Sequence, residues 1–327
     1  SAFLLLECIR EQVAAGLTFA EAKRHVQKQA VFTTHTPVPA GHDAFAFHMI
    51  DQYFSGFWYE MDLSREEFLN LGGHEEEWGM AFNMTVLALR LSGQCNGVSK
   101  LHGEVSRQMW QEVWPDKAIA DVPISSITNG VHVPSWISSE MSQLFTKYLG
   151  PDWRDRHDEA AIWEKLSDIP AAEIWSIHQL MKRKMITYFG EHVRRRWVDG
   201  RHDPTQVLTG GTMLDPEALT VGFARRFATY KRATLIFSDL ERLQRLLMDT
   251  HRPVQIVFAG KAHPADDPGK QLIQHVYNMA KNNQLGGRVA FIEDYNMHMA
   301  RYLVQGVDVW LNTPRRPREA SGTSGMK

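Results

Sequence analysis

The chain has 327 residues, 43% hydrophobic and 23% charged, with a formal net charge of −2. That length suits two domains, the composition is that of a globular protein rather than a disordered or collagen-like one, and the charge gives no whole-chain basic field to attract nucleic acid or anionic lipid. No apolar run approaches the roughly 20 residues of a bilayer span, so no membrane partner is expected; two cysteines, Cys8 and Cys95, make no disulfide framework and fit a reducing compartment.

From the N-terminus, Leu5, Ile9, Val13 and Leu17 recur at helical spacing, and Thr18 is placed to cap a second helix over Glu21–Gln29. The opening SAFLLLECIREQ lacks a basic leader and carries Glu7 and Arg10, so it reads as the middle of a helix rather than a signal peptide. Without Met there, and with Gly325-Met326-Lys327 closing in a Gly-rich loop, the chain reads as cut at both ends. Ala30–Thr34 is expected as a short buried strand, ended by the loop HTPVPAGHD. Residues 49–78 read as mixed helix and loop, and 80–112 as two helices broken at Ser92-Gly93-Gln94. Ile124–Asn129 reads as another strand, followed by the turn NGVHVPSW. A change of character near residue 135 divides the chain into 1–135 and 136–327.

The second part is helical and rich in Trp, Lys and Arg from Glu159 to about Val198. Four apolar segments of strong β propensity follow, at Leu219–Phe223, Val254–Phe258, Val289–Ile292 and Val307–Leu311. They alternate with helical stretches at 232–249, 268–284 and 296–304, the signature of a parallel sheet with crossover helices. The fold class is therefore α/β and the second part doubly wound, with ligands beyond the carboxyl ends of strands.

ARRFATYKR, after the first of these strands, places Arg225, Arg226, Lys231 and Arg232 within eight residues. If Phe227–Arg232 begins a helix, Arg226 and Lys231 can converge on a phosphate near its positive end. The bland alternative is a solvated basic turn. After the last strand, Gly322, Thr323, Ser324 and Gly325 can turn several backbone N–H groups toward a phosphate, flanked by Glu319 and Lys327. The Walker spacing is absent; a lysine beside such a cradle also suits an aldehyde cofactor such as pyridoxal phosphate. In the first part, His35 reads as a neutral hydrogen-bonding group or a capped core histidine. His42 and Cys95 are poorly spaced to complete a zinc site, and no metal is expected. His102 and Glu104 read as packing and capping residues. Asn129 is a turn residue that can also aim its amide at a sugar hydroxyl. Trp136 and Tyr295 are core aromatics or stacking partners of a flat cofactor, and spacing does not choose between these.

Together HTPVPAGHDAF, CNGVSKLHGEV, ITNGVHVPSW, ARRFATYKRA, VFAGKAHPAD, RVAFIEDYN and EASGTSGMK resemble the α-glucan phosphorylase family, seven blocks in one order over nearly the whole chain. TTHTPVPAGHD and Pro314-Arg315-Arg316-Pro317-Arg318-Glu319 look more like the short bacterial and archaeal type than animal glycogen phosphorylase. The resemblance implies a GT-B fold, two Rossmann-like domains with the active site in the cleft. Residues 1–135 would be the C-terminal portion of the glucan domain, and 136–327 the first part of the domain that binds cofactor and phosphate.

It further implies pyridoxal 5′-phosphate held by Lys327 as a Schiff base, with Gly322, Thr323, Ser324 and Arg225 at the cofactor phosphate and Trp136 and Tyr295 beside its ring. Arg226 and Lys231 match the pair that binds substrate phosphate, and His35, Asn129, Glu319, Ser321 and Tyr230 match residues around the glucosyl unit. The implied reaction is retaining phosphorolysis of α-1,4-glucan by inorganic phosphate to glucose 1-phosphate, in the cytoplasm, by what in many members is a homodimer. ARRFATYKR departs from the KRIHEYKR of animal enzymes, which puts regulatory contacts in doubt. The family's GNGGLGRLA segment is missing, so the 327-residue piece alone is expected to be inactive, its last sheet left with an open edge. Two other readings stand beside this one, a sugar-nucleotide glucosyltransferase of the glycogen synthase kind and a non-catalytic glucan-binding protein.

Overall fold

A computed structural model describes residues 2–38, 41–201, 204–212, 214–285 and 287–327; Pro39 and Ala40 of the HTPVPAGHD loop lie outside them. The chain divides into two compact units, Ser1–Asn129 with Arg316–Gly322, and Gly130–Arg315 with Thr323–Lys327.

In the first unit, α1 (Phe3–Ala14) and α2 (Phe19–Gln29) are separated at Thr18. The Thr18 hydroxyl accepts the Glu21 N–H while the Glu21 carboxylate takes the Thr18 N–H, a reciprocal cap that satisfies two otherwise orphaned donors. Then come β1 (Val31–Thr33), β2 (Ala44–Ala46), α3 (Phe47–Phe54), α4 (Arg65–Gly72), β3 (Gly73–Glu76) and β4 (Gly79–Asn83). After these follow α5 (Met84–Leu91), β5 (Gln94–Gly97), α6 (Lys100–Met109) and β6 (Ile124–Ser126). β1, β5 and β6 form a parallel sheet in the order β1-β5-β6, and β2, β4 and β3 an antiparallel one in the order β2-β4-β3.

Two expectations are corrected here. The strand at Ala30–Thr34 exists, but β1 is an edge strand with Val31 67% exposed, so it is not a buried one. Residues 80–112 are not two helices alone. Met80–Asn83 belongs to β4, because the apolar run is consumed by pairing on both sides, and the Asn83 side chain then caps α5 by accepting the Thr85 and Val86 N–H groups. Leu6, Ile9, Phe68, Phe82 and Leu87 form the centre of this unit's core.

The second unit opens with α7 (Val133–Trp136), α8 (Ser139–Leu149), α9 (Ala160–Glu164), α10 (Ala171–Val198) and α11 (Pro204–Val207). β7 (Leu219–Ala224), α12 (Leu240–Leu247), β8 (Val254–Ala259), α13 (Asp267–Ala280), β9 (Val289–Ile292), α14 (Met297–Gly306) and β10 (Val309–Trp310) follow. The strands form one parallel sheet, β10-β7-β8-β9.

Side chains of consecutive strand residues enter opposite cores, as the period of two requires. Phe223, Ile256, Phe258 and Phe291 pack with Leu243 and Leu247 of α12 and Val276 of α13. Ala224, Val257, Ala259, Ala290 and Ile292 pack with Met185 and Phe189 of α10 and Met299 and Leu303 of α14. Both faces are thus covered by helices, and each large apolar side chain so buried contributes roughly 1.5–3 kcal/mol. The α/β class and the doubly wound arrangement hold.

One polar cluster ties α10 to the start of β10. The buried Lys182 ammonium lies 2.6 Å from Asp308 Oδ2, which also accepts the Thr220 N–H at 2.7 Å, while His178 Nε2 lies 2.7 Å from Asp308 Oδ1. Burial works against the ionised Asp308 carboxylate, but the bonds from Lys182, the Thr220 amide and His178 outweigh it and hold its pKa below the ordinary value. Among the described residues no helix is long and apolar enough to cross a membrane.

Candidate functional site

The loops after the adjacent strands β7 and β10 are stitched together. The buried Arg225 guanidinium donates to the Asn312 side-chain oxygen. The Arg315 N–H donates to the Tyr230 carbonyl at 2.7 Å, Arg232 Nε donates to the Thr313 carbonyl at 2.7 Å, and the Thr313 hydroxyl donates to the Lys231 carbonyl at 3.2 Å. Lys231 is buried, with its ammonium 5.0 Å from the Tyr230 ring centroid, whereas Arg226 is exposed. Arg225, Tyr230 and Lys231 are thereby fixed at the carboxyl edge of the sheet, where a parallel α/β fold presents its ligands.

The expected helix start at Phe227–Arg232 is absent. Thr229–Lys231 is a 3-10 turn that ends at Arg232 in a left-handed conformation, φ 51°, and the α-helix begins only at Leu240. The buried Phe227 side chain, with its N–H committed to the Lys261 carbonyl, holds the segment against β8 instead. Opposite it the backbones come so close that a Cβ at Gly260 would lie 2.1 Å from the Arg225 carbonyl oxygen. Any anion here is met by side-chain cations rather than by the end of an α-helix.

The terminal segment approaches the same edge. A Cβ on Gly325 would lie 2.7 Å from Asn312 Nδ2, so the backbone of the Thr323–Gly325 turn rests on the residue that Arg225 binds. The Ser324 hydroxyl is buried with no hydrogen-bond partner among the described residues. Lys327 places its ammonium 3.7 Å from the centroid of the Trp136 ring. Both line a cleft of about 360 Å³ together with Val133, Met141, Phe145, His178 and Met181. Desolvation there lowers the Lys327 pKa. Trp136 is held in turn by Gln305 of α14, whose side chain donates to the Trp136 carbonyl at 2.9 Å. Tyr295 sits after β9, half-buried against the α10 and α14 core, and burial raises its phenol pKa. It is not among the residues lining that cleft.

In the first unit, the turn joining β5 to α6 is a hub. The Val98 carbonyl accepts the Asn129 N–H at 3.1 Å, and the Val98 N–H donates to His102 Nδ1 at 3.1 Å. The Ser99 hydroxyl caps α6 through the His102 N–H and also donates to the Ala320 carbonyl at 2.5 Å. Glu319 and Ser321 flank Ala320, and the Ser321 hydroxyl is buried with no hydrogen-bond partner among the described residues. His35 lies two residues beyond β1, exposed. Sequence reasoning passed over Val98, Ser99 and Asn312, whose signals were only a turn Ser before a helical pattern and a polar residue just after a strand.

The chain matches a family described as carbohydrate phosphorylase over residues 5–327. The chain belongs to this phosphorylase family. It is 45% identical over 325 residues to a glycogen phosphorylase of Aquifex aeolicus, covering 99% of this chain and 46% of the relative. It is 42% identical to a maltodextrin phosphorylase of Thermococcus litoralis, covering 100% of this chain and 38% of the relative. It is also 42% identical to a glycogen phosphorylase of Mycobacterium tuberculosis, covering 99% of this chain and 38% of that one. The chain thus spans less than half the length of these phosphorylases. Its parallel α/β units accord with the phosphorylase form of the GT-B fold.

The residues around Lys327 fit pyridoxal phosphate chemically. A desolvated amine, an aromatic face, an unsatisfied buried hydroxyl at Ser324 and a buried guanidinium at Arg225 are what an aldehyde, a flat ring and a phosphate require.

Proposed function

We propose that the whole protein carrying this chain performs retaining phosphorolysis of α-1,4-glucan to α-D-glucose 1-phosphate. One observation carries the reading most: in a chain of the phosphorylase family, the Lys327 amine lies against the Trp136 face in a cleft that desolvates it.

In this reading Lys327 anchors pyridoxal 5′-phosphate, Trp136 and Tyr295 flank its ring, and Gly322, Thr323, Ser324 and Arg225 hold its phosphate. When bound, the cofactor supplies a phosphate group that exchanges a proton with the substrate phosphate. Arg226 and Lys231 bind the substrate phosphate and offset the repulsion between two phosphates held close together. That phosphate gives its proton to the departing glycosidic oxygen as the bond from C1 breaks, and its oxygen then bonds to C1 on the same face. His35, Asn129, Glu319, Ser321 and Tyr230 orient the glucosyl unit. Glu319 accepts from a sugar hydroxyl and transfers no proton, since the acid is the phosphate itself. We assign residues 1–135 to the glucan domain and 136–327 to the cofactor and phosphate domain, and infer a cytoplasmic homodimer.

Incubating the whole protein with maltodextrin and inorganic phosphate should yield glucose 1-phosphate of α configuration, read by proton NMR of the anomeric position. Consumption of a nucleotide sugar instead, with no product from phosphate, would support the glycogen synthase kind of reading and overturn this one.

A further inference from the structure

We propose that Asn312 is a further phosphate-binding residue beside Lys327, its side-chain oxygen holding the Arg225 guanidinium and its NH2 group donating to the same phosphate that Arg225 meets. The inference rests on the cofactor role assigned to Arg225, Ser324 and Lys327.

The orientation of the amide follows from its partner. A guanidinium carries only donors, so the Asn312 atom that faces Arg225 is the oxygen, and Nδ2 lies on the opposite side of Cγ. There it meets the terminal turn: a Cβ on Gly325 would lie 2.7 Å from Nδ2 and 3.4 Å from Cγ. Only a glycine lets the Thr323–Gly325 backbone come so close to this donor. The same turn carries Ser324, whose buried hydroxyl has no hydrogen-bond partner among the described residues. Arg225 and the turn thus reach the Asn312 amide from its two ends.

The backbone on either side of Asn312 is held. The Leu311 N–H donates to the Gly222 carbonyl at 2.8 Å, which joins β10 to β7, and the Thr313 hydroxyl donates to the Lys231 carbonyl. The Arg225 N–H donates to the Ala259 carbonyl of β8 at 3.2 Å, so both partners are set by the sheet. Asn312 itself is exposed at this edge, which leaves its NH2 group open to a bound anion.

A neutral amide suits the place for a reason of charge. An aspartate would accept from the buried Arg225 more strongly, but it would also set a negative charge beside a phosphate dianion and offer no donor. Asparagine accepts from the guanidinium and donates to the anion without that repulsion.

This contrast supplies the test, made on the whole protein loaded with pyridoxal phosphate and on its Asn312→Ala and Asn312→Asp variants. Asn312→Ala should lose cofactor about tenfold faster on dialysis, the lower end of what one hydrogen bond to a charged group contributes. Asn312→Asp should lose it faster than Asn312→Ala, although it keeps the acceptor for Arg225. The ³¹P resonance of the bound cofactor should shift in both variants. Retention by Asn312→Asp equal to that of the unmodified protein would show that Asn312 only supports Arg225 and would overturn the proposal, as would an unshifted ³¹P resonance in Asn312→Ala. Failure of the unmodified protein to take up pyridoxal phosphate would remove the cofactor reading and this inference together. Should Asn312→Asp fail to fold, the ³¹P comparison of Asn312→Ala with the unmodified protein still decides.

Discussion

The Lys327 ammonium sits 3.7 Å from the centroid of the Trp136 ring, inside a cleft whose other walls are mostly apolar. The two residues are far apart in sequence and meet because α7 is tied to α14 through Gln305, while the last turn rests on Asn312 beside Arg225. An amine so placed is desolvated, which lowers its pKa and raises the fraction available to attack an aldehyde at a given pH. Trp136→Ala should therefore weaken cofactor retention about threefold to tenfold, the worth of one aromatic contact, measured by dialysis against buffer without cofactor.

Phosphate recognition should depend on the buried Lys231. Removing a charged donor costs about 1.5–3 kcal/mol, so Lys231→Ala should raise KM for phosphate by roughly 10- to 100-fold while changing KM for glucan little. Initial-rate kinetics with phosphate varied at saturating maltodextrin checks this. An unchanged KM for phosphate would withdraw Lys231 from that role.

The Lys182–Asp308 pair should matter for stability rather than chemistry. Lys182→Met leaves a buried carboxylate without its main counter-charge and should cost about 3–5 kcal/mol, read by urea denaturation. Because the Asp308 pKa is depressed in the fold, its contribution is present above the unfolded value of about 3.9 and is lost as pH falls through the lower folded value. Acid denaturation below about pH 4 should thus be less steep in Asp308→Asn, which has no carboxylate to protonate.

The two buried imidazoles His42 and His102 titrate in a different window. His42 and His102 are both held neutral by burial, so protonation favours the unfolded chain. Their stabilising effect is present above the unfolded pKa of about 6.5 and declines as pH drops below it. Thermal midpoints measured from pH 7 to pH 5 should fall, and His102→Gln should fall less over that interval. Parallel curves would show that His102 takes up no proton there.

Much of this was legible in the sequence, and the exceptions have physical causes. The strands at 219–224, 254–259 and 289–292 declared themselves as apolar β-branched runs because a parallel sheet covered on both faces needs apolar side chains in both directions. Met80–Asn83 did not, since a short apolar stretch beside a strong helix former has no period long enough to separate strand from helix. The basic run after β7 reads as a helix start because local propensity allows it. Burial of Phe227 and the bonds from the 312–315 loop override that preference. Residues such as Ser99 and Asn312 act through contacts across 221 and 87 positions of sequence, which no local pattern encodes.

The most direct test of the central claim is to treat the cofactor-loaded whole protein with borohydride and map the modified peptide by mass spectrometry. Pyridoxyl phosphate should be found fixed on Lys327, and Lys327→Ala should show neither fixed label nor glucose 1-phosphate formation. Label on another lysine, or full phosphorolysis by Lys327→Ala, would contradict it.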